Sequence, residues 1–152
     1  MKLASIILSA VVFTLALAKS ADSDRKYVVL KRPGSIISNA PFSEAVAEGN
    51  TLYVSGHIGL DPQTGKPGAT PEEEARLTMD SVKRTVEAGG MNMDDLVSVT
   101  VFCSDVSFYD AFNGVYRTYF HGNYPARAFV GSGKLLFGAR YEVMGTAVRK
   151  PK

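Results

Sequence analysis

The chain has 152 residues, with 17 Lys and Arg against 15 Asp and Glu and a formal net charge of +2. Hydrophobic residues make up 45%, charged residues 21% and aromatic residues 10%, a globular composition that excludes a disordered, collagen-like or coiled-coil chain. The length fits one domain, the near-zero charge gives no bulk attraction to nucleic acid or anionic membrane, and the single cysteine, Cys103, excludes an intramolecular disulfide and a cysteine-based metal cluster.

Residues 1–18 read as a secretory signal peptide. Lys2 precedes an uncharged apolar run from Leu3 to Ala18, which closes on the small-residue pattern Ala16-Leu17-Ala18. Cleavage is expected after Ala18. That places the mature protein in the periplasm or outside the cell, with no stable membrane association once the signal is gone. The alternative is an uncleaved N-terminal anchor, for which the run is short against the roughly 20 apolar residues of a membrane span. Residues 19–26 are polar and charged and read as a flexible lead-in.

Tyr27-Val28-Val29-Leu30 is a short first strand, broken by Arg32-Pro33-Gly34. Ala45-Val46-Ala47 and Thr51-Leu52-Tyr53-Val54-Ser55 are strand-like, joined by the hairpin loop Glu48-Gly49-Asn50. Asp61 to Ala69, rich in Pro and Gly, is a loop. Thr70-Pro71-Glu72-Glu73 opens a helix: Thr70 caps, Pro71 suits the first helical position, and Glu73 completes a capping box. Ala75, Met79, Val82 and Val86 form its apolar stripe, and Gly89-Gly90 ends it. In Val97 to Cys103, alternation puts Val97, Val99, Val101 and Cys103 on one face. A second helix starts near Ser107 with Asp110 as capping partner, carries Phe108, Phe112, Val115 and Tyr119 as its stripe, and stops at Gly122. Arg127 to Val130 and Tyr141 to Val148 are the last strands. The order implies a single α+β domain over residues 27–149, with 150–152 as a tail. Two amphipathic helices cover one face of a sheet. The other face needs a partner, and an oligomer is the simplest way to bury it.

The segments Asn39-Ala40-Pro41-Phe42-Ser43-Glu44-Ala45-Val46, Val54-Ser55-Gly56-His57-Ile58 and Asp61-Pro62-Gln63-Thr64-Gly65 form an ordered series. Val99-Thr100-Val101-Phe102, Asn113-Gly114-Val115-Tyr116, Pro125-Ala126-Arg127, Tyr141-Glu142-Val143 and Ala147-Val148 continue it. In order and spacing this set closely resembles the RidA (YjgF) family over about residues 27–149. The resemblance implies a chorismate-mutase-like α+β fold, a mixed sheet with two helices on one face, and a homotrimer with sites in intersubunit clefts. It implies hydrolysis of reactive 2-imino acids to 2-keto acids and ammonia, with no metal or organic cofactor.

Such a reaction must hold a carboxylate, deliver water to the C=N carbon and move protons. By resemblance, Arg127 is the carboxylate-binding arginine, whose planar fork suits that ligand. Glu142 is the glutamate that orients or deprotonates water. Phe42, Ser55, Gly56 and Asn113 fall at positions that line the substrate cleft. Read without the family, Arg127 and Glu142 form a surface ion pair, Asn113 is a solvated or locally capping helix residue, and Ser55-Gly56 is a strand end. The chain departs from the family pattern where Phe42 replaces Tyr, His57 replaces Gln, and Ala128 replaces Ser or Thr. Met144 stands at a second acidic position, and Leu135-Leu136 replaces Leu-Pro. His57 reads as a hydrogen-bonded replacement for Gln or as a proton shuttle. His121 reads as a charge near a helix C-terminus, and Cys103 as an inert core thiol.

Three functions compete. One is an imine hydrolase acting outside the cytoplasm. Another is a non-catalytic binder of small carboxylates, which Phe42 and Ala128 favour. The third is an endoribonuclease or translation-inhibitor relative. Export opposes the third, and so does the lack of a basic stripe with interleaved aromatics.

Overall fold

The computed structural model describes residues 25–30 and 40–150. The expected signal segment, most of the expected lead-in, the Arg32-Pro33-Gly34 break, Asn39 and the end of the tail lie outside the described residues. Six strands, β1 (Lys26–Val28), β2 (Ala45–Glu48), β3 (Thr51–Ile58), β4 (Leu96–Cys103), β5 (Ala126–Gly131) and β6 (Tyr141–Val148), form one sheet in the order β1-β2-β3-β6-β4-β5. All pairs are antiparallel except β4 and β5. Helix α1 (Pro71–Ala88) lies against β3 and β6, and α2 (Tyr109–Tyr116) packs beside α1. The first strand begins at Lys26, inside the expected lead-in, and Arg25 pairs with Glu48 at 2.8 Å.

The hairpin between β2 and β3 is a two-residue turn. Glu48 pairs with Thr51, and Gly49 takes φ +57°, the left-handed start that a type II′ turn requires. Helix α1 starts as expected. Thr70 Oγ1 accepts from the Glu73 amide at 3.1 Å, with Pro71 in the first turn. The reciprocal bond falls one residue earlier, because Glu73 Oε2 accepts from the Ala69 amide and not from Thr70. Its apolar stripe, Ala75, Met79, Val82 and Val86, is buried in the core with Leu52, Val54, Val101, Phe112, Tyr141 and Val143.

Three expectations need correction. Val97 does not share the buried face: it is 48% exposed, while Leu96, Val99, Val101 and Cys103 are buried. A register shift between Leu96 and Ser98 makes Val97 the extra residue of a bulge, which alternation alone does not reveal. The second helical segment is capped by Asp105, whose carboxylate accepts from the Ser107 amide at 2.8 Å, and not by Ser107 and Asp110. That segment opens as a 3-10 turn, Val106–Phe108, and closes as another, Arg117–Tyr119. Phe120 is already extended, so the helical segment ends before Gly122.

Beside this apolar core, an ion pair also ties the helix layer to the sheet. Glu74, in the first turn of α1, is fully buried. Its carboxylate accepts from the backbone amides of Arg140 and Tyr141 at the start of β6, and pairs with the Arg140 guanidinium at 2.6 Å. The same guanidinium donates to the carbonyl of Gly68 at 3.0 Å. Gly59 and Gly68 have room only for hydrogen here, since a Cβ on either would overlap the backbone of Glu74. Removing the Glu74 carboxylate leaves two backbone amides without their acceptor and the partly exposed Arg140 guanidinium with carbonyl partners alone, a loss of about 3 kcal/mol, the low end for a broken buried pair. Glu74→Ala is therefore expected to lower stability by that amount in urea unfolding. A midpoint like that of the unaltered protein would contradict this role for Glu74.

Candidate active site

Strand pairing settles where the sequence-identified residues stand. Val99 pairs with Arg127 on one side and Gly145 on the other, while Phe102 pairs with Val130 and Glu142. Val99 is buried in the core beneath the helices, so Arg127 and Phe129 point to the helix side of the edge strand β5. Glu142 alternates with the buried Tyr141 and Val143, so it points to the opposite face. Within one chain, Arg127 and Glu142 are separated by the sheet. This corrects the reading of the two as a surface ion pair within one chain.

Arg127 is built into an aromatic box. Its Cζ lies 4.5 Å from the Tyr116 ring centroid, with Tyr109, Phe112 and Phe129 at 5.9, 6.0 and 5.8 Å. Nη2 donates to Asn113 Oδ1 at 2.7 Å. Asn113 is buried, so the readings of it as a solvated or locally capping residue do not hold. Tyr109, Phe112, Asn113 and Tyr116 recur at helical spacing and reach β5 from one face of α2. Among the described residues the rest of the guanidinium has no hydrogen-bond partner, leaving donors for a ligand. Burial pushes the Tyr116 hydroxyl up to about 12, partly offset by the Arg127 charge. That hydroxyl is buried without a hydrogen-bond partner among the described residues.

On the open face, the register shift between Val54 and His57 leaves Ser55 and Gly56 between two inward-facing residues. A Cβ on Gly56 would overlap the Glu142 carboxylate, so glycine makes the room in which that side chain lies. Ser55 Oγ donates to the Ser43 carbonyl at 2.6 Å, which fastens the segment after the exposed Phe42 to β3. Phe102 and Ile58 stand directly across from Glu142, giving the carboxylate apolar neighbours on both sides. Gly56 and Glu142 are thus brought together, with Ser55 the preceding residue of β3 and Phe42 next to Ser43, to which Ser55 is hydrogen-bonded. Arg127 and Asn113 form a second group behind the sheet.

The sequence profile of the family described as Endoribonuclease L-PSP matches residues 33–149. The chain belongs to this family, the RidA (YjgF) family. It is similar to the 2-iminobutanoate/2-iminopropanoate deaminase of Mus musculus, with 36% identity over 123 residues covering 80% of this chain and 88% of that protein. The protein of the same name from Homo sapiens is 34% identical over 122 residues, covering 80% and 87%. Among solved structures, the YjgF gene product of E. coli superposes with TM-score 0.74 and 32% identity, covering 82% of this chain and 99% of that one. E. coli TdcF with bound serine also gives TM-score 0.74 and 32% identity, covering 82% and 100%.

The remaining candidates of this RidA-family chain are structural. His57 is buried, with Nδ1 3.0 Å from Ser81 Oγ and 3.5 Å from Glu44 Oε2, which matches a hydrogen-bonded replacement for Gln. His121 directly follows Phe120, the C-cap of the last 3-10 turn, and its largely exposed ring lies 3.4 Å from Asp94. The Cys103 thiol is buried, pushed up by burial and donates to the Asp105 carbonyl at 3.0 Å. Among the described residues no group of three or more His, Cys, Asp and Glu is arranged to hold a metal ion. Tyr109 and Tyr116 were not marked as site residues by the sequence. The available signal was aromatic residues at helical spacing around Asn113.

Proposed function

We propose that the protein hydrolyses 2-imino acids to 2-keto acids and ammonia, at sites made where two copies of the chain meet. The observation that carries this reading is Arg127: a guanidinium fixed by Asn113 and a ring, with donors left for a carboxylate. The relatives named as imine deaminases support the reaction class. TdcF holds serine, an amino acid with a carboxylate beside its nitrogen-bearing carbon.

Water adds to the C=N carbon while the nitrogen takes a proton, giving a carbinolamine. Its C–N bond then breaks, its hydroxyl loses a proton, and ammonia leaves behind a keto acid. Arg127 holds the carboxylate and so fixes the position of the reacting carbon. Glu142, between Phe102 and Ile58, is the group for moving the proton of the attacking water. Because the sheet separates the two within a chain, the open face of one copy must meet β5 of another. That open face carries exposed Tyr53, Val130, Met144 and Val148, an apolar surface suited to burial in a homotrimer. No cofactor is needed for this addition and elimination.

The segment at 1–18 supports action outside the cytoplasm, in the periplasm or beyond. Mass spectrometry of the exported protein should give a chain starting at Lys19, and an intact Met1 terminus would contradict this.

The second reading, a carboxylate binder without catalysis, draws on Phe42, Ala128 and Met144, which supply fewer polar groups than the family pattern. The two are separated by generating 2-iminopropanoate and 2-iminobutanoate in situ with an amino-acid oxidase and following imine decay. The deaminase accelerates decay, and Arg127→Ala abolishes the acceleration. Glu142→Gln lowers the rate by about 100-fold or more, as for loss of a general base, while sparing binding of the keto acid. An unchanged rate in Glu142→Gln removes Glu142 from the mechanism.

A further inference from the structure

The geometry points to a site selective for 2-imino acids with an aromatic or large apolar side chain, with Tyr109 as the specificity-determining residue. This rests on the deaminase reading and adds the identity of the substituent. A carboxylate on the Arg127 fork places its carboxyl carbon about 4 Å from Cζ and its α-carbon about 5.5 Å away, with the next substituent beyond, within reach of the surrounding rings.

Of those rings, Phe112 and Tyr116 are buried and Phe129 is partly buried, whereas Tyr109 is 45% exposed and stands 5.9 Å from Cζ. Tyr109 is the first residue of α2 and meets Phe129 edge-to-face, centroids 4.9 Å apart and planes at 85°. It is therefore a braced wall that presents apolar surface beside the guanidinium in the single chain. Tyr124, also exposed, stacks on Tyr116 with centroids 6.3 Å apart. A methyl group from an alanine-derived imine covers little of the Tyr109 ring. A benzyl or isobutyl group covers much of it, and aromatic contacts strengthen binding beyond area alone.

The test compares kcat/KM for imines generated from phenylalanine and from alanine, using the purified protein. The unaltered protein is expected to favour the phenylalanine-derived imine. Tyr109→Ala should lower the ratio of the two values about fivefold, and Tyr109→Phe should keep it. A ratio below one in the unaltered protein, or one unmoved by Tyr109→Ala in a protein with native circular dichroism, overturns the proposal. Calorimetric binding of phenylpyruvate and pyruvate is the second arm and needs no turnover. If neither imine is hydrolysed, the deaminase reading fails, and with it the substrate class proposed here. Tighter binding of phenylpyruvate would then support only the Tyr109 wall, and equal or weaker binding would remove that too. If turnover is seen, tighter phenylpyruvate binding supports the proposal and weaker binding opposes it, even where Tyr109→Ala does not fold.

Discussion

Side chains along a strand alternate between faces, and no rotamer carries one through a sheet. Here that rule has a direct consequence. Pairing through β4 places Arg127 in one row with Val99 and Gly145, and Glu142 in another with Phe102 and Val130. The first row faces the helices and the second faces away. A reaction that needs a carboxylate holder and a proton-moving carboxylate cannot draw both from one copy of this sheet. Among the described residues one sheet face has no helix on it and β5 is an edge strand, so a neighbouring chain that covers that face at this edge would bring Glu142 toward another copy's Arg127.

The helix side depends on fixed positions. Glu74 ties the first turn of α1 to the start of β6 through two amides and Arg140. Tyr119 carries that order to the end of the second helical segment, donating to Asp80 at 2.6 Å. Burial and the Asp80 carboxylate both push the Tyr119 hydroxyl upward, so it stays a neutral donor. Tyr141 is fully buried against Phe112, at 4.9 Å between centroids. Together these contacts set α2 over β5, which lets Asn113 and Tyr116 hold the Arg127 guanidinium in one orientation. A pre-set guanidinium loses less freedom on binding a carboxylate than a mobile one.

Much of the fold was legible because its signals are local. Thr70-Pro71-Glu72-Glu73 carries a capping residue, a first-turn proline and helix-dipole partners within one turn, and the helix begins there. Val97 was misplaced because a bulge is a property of two strands, and one strand's alternation does not contain it. Asp105 and Ser107 are both capping types two residues apart, and with β4 ending at Cys103 it is Asp105 that caps. For the site, Arg127, Glu142 and Asn113 were reached through the family motif, with the family's cleft between subunits. The side of the sheet each one takes needed the register of β4 with both neighbours. Tyr109 and Tyr116 were absent because an aromatic stripe on an amphipathic helix reads first as core. Phe112 and Tyr116 are indeed buried, and the same face also serves Arg127.

Subunit mixing tests the division of the site across the sheet most directly. Arg127→Ala and Glu142→Gln proteins, each inactive alone, are unfolded together and refolded as mixed oligomers. If each site takes Arg127 from one copy and Glu142 from another, random assembly of equal amounts restores about a quarter of the activity per chain. Mixed oligomers seen by native mass spectrometry that show no activity above either parent would contradict the account.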